Sequence, residues 1–239
     1  MAKNWPLMST PLRGISSMAT RQVLAELAAA HHAHSGRAVH FESVGGLDAA
    51  RRVLAGEHFD LVVLASDAIA KLMPSGAVLA GSRVDLVKSP VALAVKAGAP
   101  LPDISSEEAV RQAVLAVLAV SKVGYSTGPS GAHLRCLFER WGLGHEFASR
   151  TLQAPSGVPV ASLLARGDVA LGFQQLSELM NVDGVAVIGV LPPAISFITT
   201  FSAAVCRTCT QVPAVQSLLS YLTSPQAEAI KLRHGMSAA

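Results

Sequence analysis

Three loops in the sequence carry small polar residues and glycines of the kind that bind anions. They are residues 14–17 (Gly-Ile-Ser-Ser), 43–46 (Ser-Val-Gly-Gly) and 126–131 (Ser-Thr-Gly-Pro-Ser-Gly), each between a predicted strand and a predicted helix. Free N–H groups and the dipole at a helix start attract anions, glycine lets the backbone approach a ligand, and serine adds a hydroxyl donor. The alternative is that these residues only cap helices. Three such loops in one chain favour a shared anion site, because two lobes could direct them at one cleft.

A pair of adjacent glutamines supplies a second kind of candidate. Gln174 and Gln175 follow a predicted strand over residues 169–173, where their carboxamides could bind a carboxylate or a hydroxyl. The alternative is an exposed loop pair. Glu178 begins the next predicted helix, where its charge would favour the helix dipole. The predicted ligand-binding residues are Ser16, Ser17, Ser43, Gly45, Gly46, Ser66, Thr127, Ser130, Gly131 and Gln174.

Two further patterns resemble metal-binding motifs but predict no metal. His31, His32 and His34 lie at the end of a helical pattern, where histidines more often interact with the C-terminus of the helix than bind a metal. Cys206 and Cys209 form a CxxC pair, but the sequence has no second pair to complete a zinc site. The sequence therefore predicts neither a metal nor a cofactor, and it assigns no catalytic residue.

The elements that would position these loops alternate between short apolar runs and longer helical patterns. This alternation predicts an α/β fold with parallel strands. The run at residues 60–65 (DLVVLA) is continuously apolar, as in a strand covered on both faces. Ser105 and Glu108 form a capping box that predicts a helix start at Ser105. Two long strand-like stretches near residues 84–96, interrupted by Pro90, and 190–205 predict crossings between two lobes.

The predicted division places both termini in the same lobe. Residues 1–88 and 200–239 form the first lobe, and residues 89–199 form the second. The crossings then act as hinges, and the ligand cleft lies between the lobes. The segment 1–13 lacks the apolar stretch of a secretory signal. We therefore expect a cytoplasmic location for the sequence as written, or a periplasmic one if a leader has been removed.

Composition excludes several classes of function. The chain has 239 residues, of which 51% are hydrophobic and 15% are charged, with a net charge of +3 at pH 7. These values exclude a disordered tail and a coiled coil. No apolar run reaches the roughly 18 residues that span a bilayer, so no membrane span is predicted. No stripe of lysine and arginine indicates a nucleic-acid partner, and three cysteines do not make a disulfide scaffold.

Three longer stretches carry a resemblance to a known family. They are residues 50–72 (ARRVLAGEHFDLVVLASDAIAKL), 123–143 (VGYSTGPSGAHLRCLFERWGL) and 223–236 (TSPQAEAIKLRHGM). The sequence resembles the type 2 periplasmic binding proteins, with the molybdate-binding branch nearest. The resemblance implies two α/β lobes that are joined by two hinge strands and close over a small anion.

The resemblance also shows where the sequence departs from the oxyanion binders. Ser17 matches the serine that follows their first strand, and Ser130 with Gly131 matches the loop that caps the anion from the second lobe. Gly45 and Gly46 stand where those proteins carry a serine pair, and Ser43 lies just upstream. The departure implies a ligand larger than molybdate or sulfate, such as a carboxylate, with backbone N–H groups as donors.

Three phrases are more similar to an aconitate-isomerase-like sub-branch. They are residues 14–20 (GISSMAT), 126–131 (STGPSG) and 172–179 (GFQQLSEL). An isomerase on this scaffold shifts a double bond in a tricarboxylate and needs a group that moves a proton. His133, Tyr125 and Glu42 lie beside the predicted loops, but none is assigned as the base.

The predicted function is binding of a small organic anion, a di- or tricarboxylate, in the interlobe cleft. The alternative is a cofactor-free isomerase of an unsaturated carboxylic acid. A ligand-sensing domain is a third class, although the sequence shows no helix-turn-helix segment beside the fold. The predicted partner is the anion itself, together with an ABC transporter permease if the chain is exported.

Overall fold

The computed structural model describes residues 10–239 and has a mixed α/β architecture around one curled sheet. Residues 1–9, which belong to the predicted first lobe and to the segment 1–13 that lacks the apolar stretch of a secretory signal, lie outside the described part. Neighbouring strands follow the order β2-β1-β3-β9-β4-β7-β5-β6, while β8 and β10 also pair with β4. The strands are β1 (Leu12–Ser17), β2 (Val39–Val44), β3 (Leu61–Ala65), β4 (Val84–Lys96), β5 (Val123–Tyr125), β6 (Thr151–Gln153), β7 (Leu171–Gln175), β8 (Val185–Val190), β9 (Ile198–Val205) and β10 (Ser237–Ala238).

Helices cover both faces of this sheet, as expected for the predicted α/β class. Short 3-10 turns at Met18–Thr20, Pro193–Ile195 and Pro225–Ala227 join several of the elements. Within residues 10–239, no helix has both the length and the hydropathy that a bilayer crossing needs. The α-helices are α1 (Arg21–Ser35), α2 (Gly46–Leu54), α3 (Ser66–Leu72), α4 (Glu107–Val120), α5 (Pro129–Arg140), α6 (Gly144–Arg150), α7 (Val160–Arg166), α8 (Leu176–Leu179), α9 (Val212–Leu222) and α10 (Glu228–Arg233).

The long strand β4 connects the two lobes of the fold. Its first part, Val84–Pro90, pairs antiparallel with β9, and its second part, residues 91–96, pairs with β7 and β8. Pro90 therefore does not interrupt the strand but stands where its pairing partner changes, a place where a missing N–H donor is tolerated. The first lobe contains β1, β2, β3 and β9, and the second contains β5, β6, β7 and β8. The boundaries at 88/89 and 199/200 stay a prediction.

Each lobe buries an apolar layer on both faces of its part of the sheet. Leu61 and Val63 of β3 face a core shared with α1 and α9, whereas Val62 and Leu64 face a core shared with α2 and α3. This arrangement explains why the run at 60–65 is continuously apolar. In the first lobe β1 pairs in parallel with β2 and β3. In the second lobe β5 pairs in parallel with β6 and β7.

Two predicted element boundaries were wrong by one or two residues. Helix α4 begins at Glu107, and Ser106 is its N-cap, whose Oγ accepts a hydrogen bond from the Ala109 N–H at 3.1 Å. Ser105 instead donates its backbone N–H to an Asp103 carboxylate oxygen at 2.8 Å, so the predicted capping box is not formed. The strand β7 extends to Gln175, which places the glutamine pair inside a buried strand rather than in a loop.

Candidate functional site

A cavity of about 680 Å³ lies between the two lobes, where the predicted loops converge. The first lobe contributes the end of β1, the start of α2 and one side of α3. The second lobe contributes the loop before α5, residues 155–158 and the junction of β7 with α8. This volume falls within the range of about 300–1,000 Å³ that is typical of small-molecule sites. The cavity is therefore the candidate ligand site.

The structure brings six of the predicted ligand-binding residues to the cavity wall and leaves four away from it. Those that line the cavity come from both lobes, and four of their side chains end in hydroxyl or carboxamide groups. Backbone groups and polar side chains from distant parts of the sequence therefore line the same cavity. The six are Ser17, Gly45, Gly46, Thr127, Ser130 and Gln174.

The remaining four residues are used inside the protein. Ser16 and Ser43 hydrogen-bond each other at 2.8 Å across the β1–β2 pair, because adjacent strand residues point to opposite faces and Ser16 points away from Ser17. Ser66 hydrogen-bonds the Ser202 hydroxyl at 2.6 Å. Gly131 packs beneath the loop and does not line the cavity.

Two buried polar atoms in the cavity wall have no partner in the described part of the chain. They are the Ser17 hydroxyl oxygen and the Gln175 carboxamide oxygen, whose residues are 9% and 2% exposed. The other end of the Gln175 carboxamide donates to the Thr199 hydroxyl at 2.7 Å, which holds the group in place. An unpaired buried polar group costs about 1–3 kcal/mol. A ligand that hydrogen-bonds both atoms would remove this cost.

Glu178 is the acidic group of greatest interest in the wall, and Gln174 positions it. The Gln174 carboxamide accepts from the Val160 N–H at 2.7 Å and donates to Glu178 Oε1 at 2.7 Å. Glu178 is partly exposed and lines the cavity, while the protein packs closely around its carboxyl group. This burial raises the pKa of Glu178 to about 7, although the Gln174 hydrogen bond and the charge of Arg21 act to lower it.

His133 also lines the cavity, from helix α5. Its Nε2 donates to the Ile195 carbonyl oxygen at 3.0 Å, and its ring stacks on Phe197 at 4.6 Å between centroids. Burial lowers the pKa of His133, so the ring is neutral at pH 7. The two other candidate bases lie elsewhere: Tyr125 is buried beside Gln153, and Glu42 pairs with Arg52 on the surface.

The charge of the cavity wall is nearly balanced. Besides Glu178 and the neutral His133, the cavity is lined by Lys71, which is basic, and Asp67, which is acidic. The charges of Lys71 and Asp67 offset each other. Much of the rest is apolar, including Leu47 and Phe201. The groups that favour an anion here are therefore the helix starts at α2 and α5 and the hydroxyls, rather than a cluster of cations.

The two metal-like sequence patterns lie away from the cavity. His31 is buried on α1 and packs against Tyr221. Burial raises the pKa of Cys206 to about 12, so its thiol stays protonated at neutral pH. In residues 10–239 no group of three potential metal-ligating side chains comes together.

Replacing Ser17 by alanine tests whether its hydroxyl group contacts a ligand or stabilises the fold. Because the Ser17 hydroxyl is buried without a partner, we expect Ser17→Ala to leave the free energy of unfolding unchanged or to raise it by up to about 1 kcal/mol. Carboxylate binding should weaken about 10–150-fold, as for the loss of a hydrogen bond to a charged group, which is worth about 1.5–3 kcal/mol. Calorimetric titration and urea unfolding would measure both effects.

The matched control is the neighbouring serine. Ser16→Ala removes the hydrogen bond to Ser43 outside the cavity, so it should lower stability by about 1 kcal/mol and leave binding unchanged. Equal losses of stability in the two variants would mean that Ser17 has no special relation to a ligand.

The fold and the cavity together define a two-lobe α/β protein with a cavity of small-molecule size between its lobes. The profile of the bacterial extracellular solute-binding protein family matches residues 12–237, and the chain belongs to this family. An aconitate isomerase from a Pseudomonas species is 39% identical over 177 residues, which cover 74% of this chain and 66% of that protein. The matched region thus spans slightly less than two thirds of that relative.

Solved structures with much lower sequence identity share the fold. The periplasmic molybdate-binding protein of Azotobacter vinelandii superimposes with a TM-score of 0.79 at 20% identity, covering 95% of this chain and 99% of that one. A sulfate-binding protein of Mycobacterium tuberculosis gives 0.76 at 18% identity, with 96% and 87% covered. The predicted two-lobe periplasmic-binding-protein fold is therefore confirmed.

Proposed function

We propose that this chain binds a small organic carboxylate in the cavity between its lobes. The observation that carries the proposal is the pair of buried, unpartnered polar atoms in the wall, on Ser17 and Gln175. The starts of α2 and α5 add backbone N–H groups, and Gly45 and Gly46 line the cavity without a side chain. The cavity volume of about 680 Å³ fits an organic acid better than a bare tetrahedral oxyanion.

Delivery of the anion to a membrane permease is the transport role that accompanies this proposal. The family consists of extracellular solute-binding proteins, and a fold relative from Clostridium difficile is described as the substrate-binding domain of a molybdenum ABC transporter. In this role the chain would change nothing in the ligand.

Isomerisation of an unsaturated tricarboxylate is the second candidate function. It is favoured by the 39% identity to an aconitate isomerase and by the position of Glu178 in the cavity wall. Proton transfer at carbon is most efficient when the pKa of the catalytic group lies near the working pH, and the pKa of Glu178 is about 7. Such a reaction removes a proton from one carbon of the substrate and returns one to another carbon.

Thermal unfolding against a panel of anions tests the proposed function. The panel contains molybdate, sulfate, phosphate, succinate, citrate, tricarballylate and both isomers of aconitate. We expect carboxylates to raise the melting temperature, since a ligand that binds only the folded state adds about 2.7 kcal/mol at a hundred times its Kd. A rise with the inorganic oxyanions alone would contradict the proposal.

An absorbance assay then separates the two candidates. Interconversion of cis- and trans-aconitate by the purified protein would identify an isomerase. Binding of aconitate without interconversion would leave the solute-binding role and would exclude the second candidate for this substrate.

A further inference from the structure

The hydrogen bonds around Glu178 fix where its proton sits when the carboxyl group is neutral. The Val160 N–H donates to the carboxamide oxygen of Gln174, so the carboxamide nitrogen must face Glu178. That nitrogen donates to Glu178 Oε1, which is therefore an acceptor. The acid proton of the neutral group must lie on the other oxygen, Oε2.

Oε2 is free to contact a ligand. It forms no hydrogen bond within residues 10–239 and is not sealed from the cavity that Glu178 lines. A neutral acid at this point is a hydrogen-bond donor, whereas a carboxylate is an acceptor that repels an anion. The two protonation states therefore have opposite effects on anion binding.

The charges around Glu178 leave this behaviour in place. Arg21, which follows the 3-10 turn packed on α8, is the charged residue whose field acts on Glu178. Of the elements that pack on α8, β7 and β8 carry no charged residue. Strand β4 and helix α7 carry the charged residues Asp85, Lys88, Lys96 and Arg166, and none of them hydrogen-bonds Glu178. Asp67, Lys71 and His133 line the same cavity.

We propose that Glu178 is a specificity-determining residue that binds the carboxylate ligand as a neutral acid, donating a hydrogen bond from Oε2. The proposal rests on the proposed function and deepens it. The proton comes from solvent, and no bond of the ligand is formed or broken. Above neutral pH, binding of each anion is therefore accompanied by uptake of close to one proton.

Replacing Glu178 by glutamine provides a direct test. In Glu178→Gln the side-chain oxygen can still accept from Gln174, while the new N–H₂ group donates into the cavity, as the neutral acid does. The titrant is whichever of citrate, tricarballylate and succinate gives the largest thermal shift, because none of them has a double bond to move. Titrations at pH 5.5 and pH 8 in two buffers of different ionisation enthalpy measure the protons taken up.

We expect the unmodified protein to take up close to one proton at pH 8 and almost none at pH 5.5. Its affinity should fall about tenfold at pH 8, because about a tenth of a group with pKa 7 is then neutral. Glu178→Gln should show no uptake from this residue and should bind about tenfold more tightly than the unmodified protein at pH 8. Glu139→Gln, on the exposed face of α5, is the matched control and should behave as the unmodified protein does.

The outcomes separate this inference from the proposed function. Binding without proton uptake at pH 8, or uptake that persists in Glu178→Gln, would overturn the role of Glu178 and leave carboxylate binding intact. Failure of every carboxylate to bind would overturn the proposed function and the inference with it. Infrared difference spectra of the ligand-free protein add an independent check: the carbonyl band of a protonated carboxyl group should be present at pH 5.5 and absent in Glu178→Gln. If the unmodified protein lacks this band, the inference fails whatever the titrations show.

Discussion

Replacing Gly131 by alanine is expected to lower the free energy of unfolding by about 1–3 kcal/mol, the range for overpacking a filled space. A Cβ atom at this position would lie 1.9 Å from the Ser126 carbonyl oxygen and 2.9 Å from a ring carbon of Tyr125. The first neighbour is backbone and cannot rotate away, so the start of α5 must shift. The better helix propensity of alanine, worth about 1 kcal/mol, offsets only part of this cost.

The same substitution should weaken ligand binding, although Gly131 itself does not line the cavity. Ser126 and Ser130 hydrogen-bond each other at 2.9 Å, and both contribute to the cavity wall. A displaced α5 start would separate their hydroxyls from the position that a ligand needs. Urea unfolding and calorimetric titration with tricarballylate would measure the two effects together.

Gly144→Ala is the matched control for Gly131→Ala. Gly144 opens helix α6, and a Cβ atom added there would meet nothing within 4 Å. We expect this variant to be as stable as the unmodified protein or slightly more stable. Loss of stability in Gly144→Ala equal to that in Gly131→Ala would show that the close contact with Ser126 is not the cause.

The sequence patterns were sufficient for most of the fold because each element carries its own local signal. The apolar run predicted as a strand at residues 60–65 is β3 (Leu61–Ala65), and the long strand-like stretch near 84–96 is β4 (Val84–Lys96). Their apolar spacing is set by the sheet and helix periods and needs no knowledge of distant residues. Helix α6 and strand β6 were not predicted, because both are short and no residue of α6 is buried.

The candidate site was only partly predictable, because membership in a cavity depends on tertiary contacts. The loop pattern identified Ser17 and Ser130 but could not show that Ser16 and Ser43 hydrogen-bond each other across two strands. Residues 14–17 were predicted as a loop, whereas β1 extends to Ser17. In a strand, Ser16 and Ser17 point to opposite faces, and the loop prediction could not show this difference. Side-chain pairing of this kind becomes visible only when the register of β1 and β2 is known.

Glu178 was interpreted from sequence as a residue that favours a helix dipole, and its position changes that interpretation. Gln174 and Glu178 are four residues apart across the junction of β7 and α8, so the spacing alone does not show that they hydrogen-bond. The raised pKa of Glu178 comes from burial of its carboxyl group in the folded protein, which no local sequence pattern shows. The adjacent glutamines in the sequence indicated Gln174 as a site residue, but they did not indicate Glu178, to which Gln174 hydrogen-bonds.

Glu178 should also make the stability of the ligand-free protein depend on pH. Its pKa is about 7 in the folded protein, against an ordinary value of 4.5. The folded state therefore binds the proton more tightly than the unfolded state does. Protonation of Glu178 therefore stabilises the folded protein at low pH. This stabilisation is complete below about pH 4.5, falls as the pH rises towards 7, and is absent above pH 7. The difference amounts to about 3 kcal/mol.

Glu178→Gln should remove this dependence. We expect the variant to exceed the unmodified protein in free energy of unfolding by up to about 3 kcal/mol at pH 8 and by less than about 1 kcal/mol near pH 5. Other titrating groups, such as His133, remain in both proteins and cancel in the difference. Urea unfolding between pH 5 and pH 8.5 gives the curve, with Glu139→Gln as the surface control. A constant offset at every pH would show that the substitution acts through packing and that the Glu178 carboxyl group is not neutral in the folded protein.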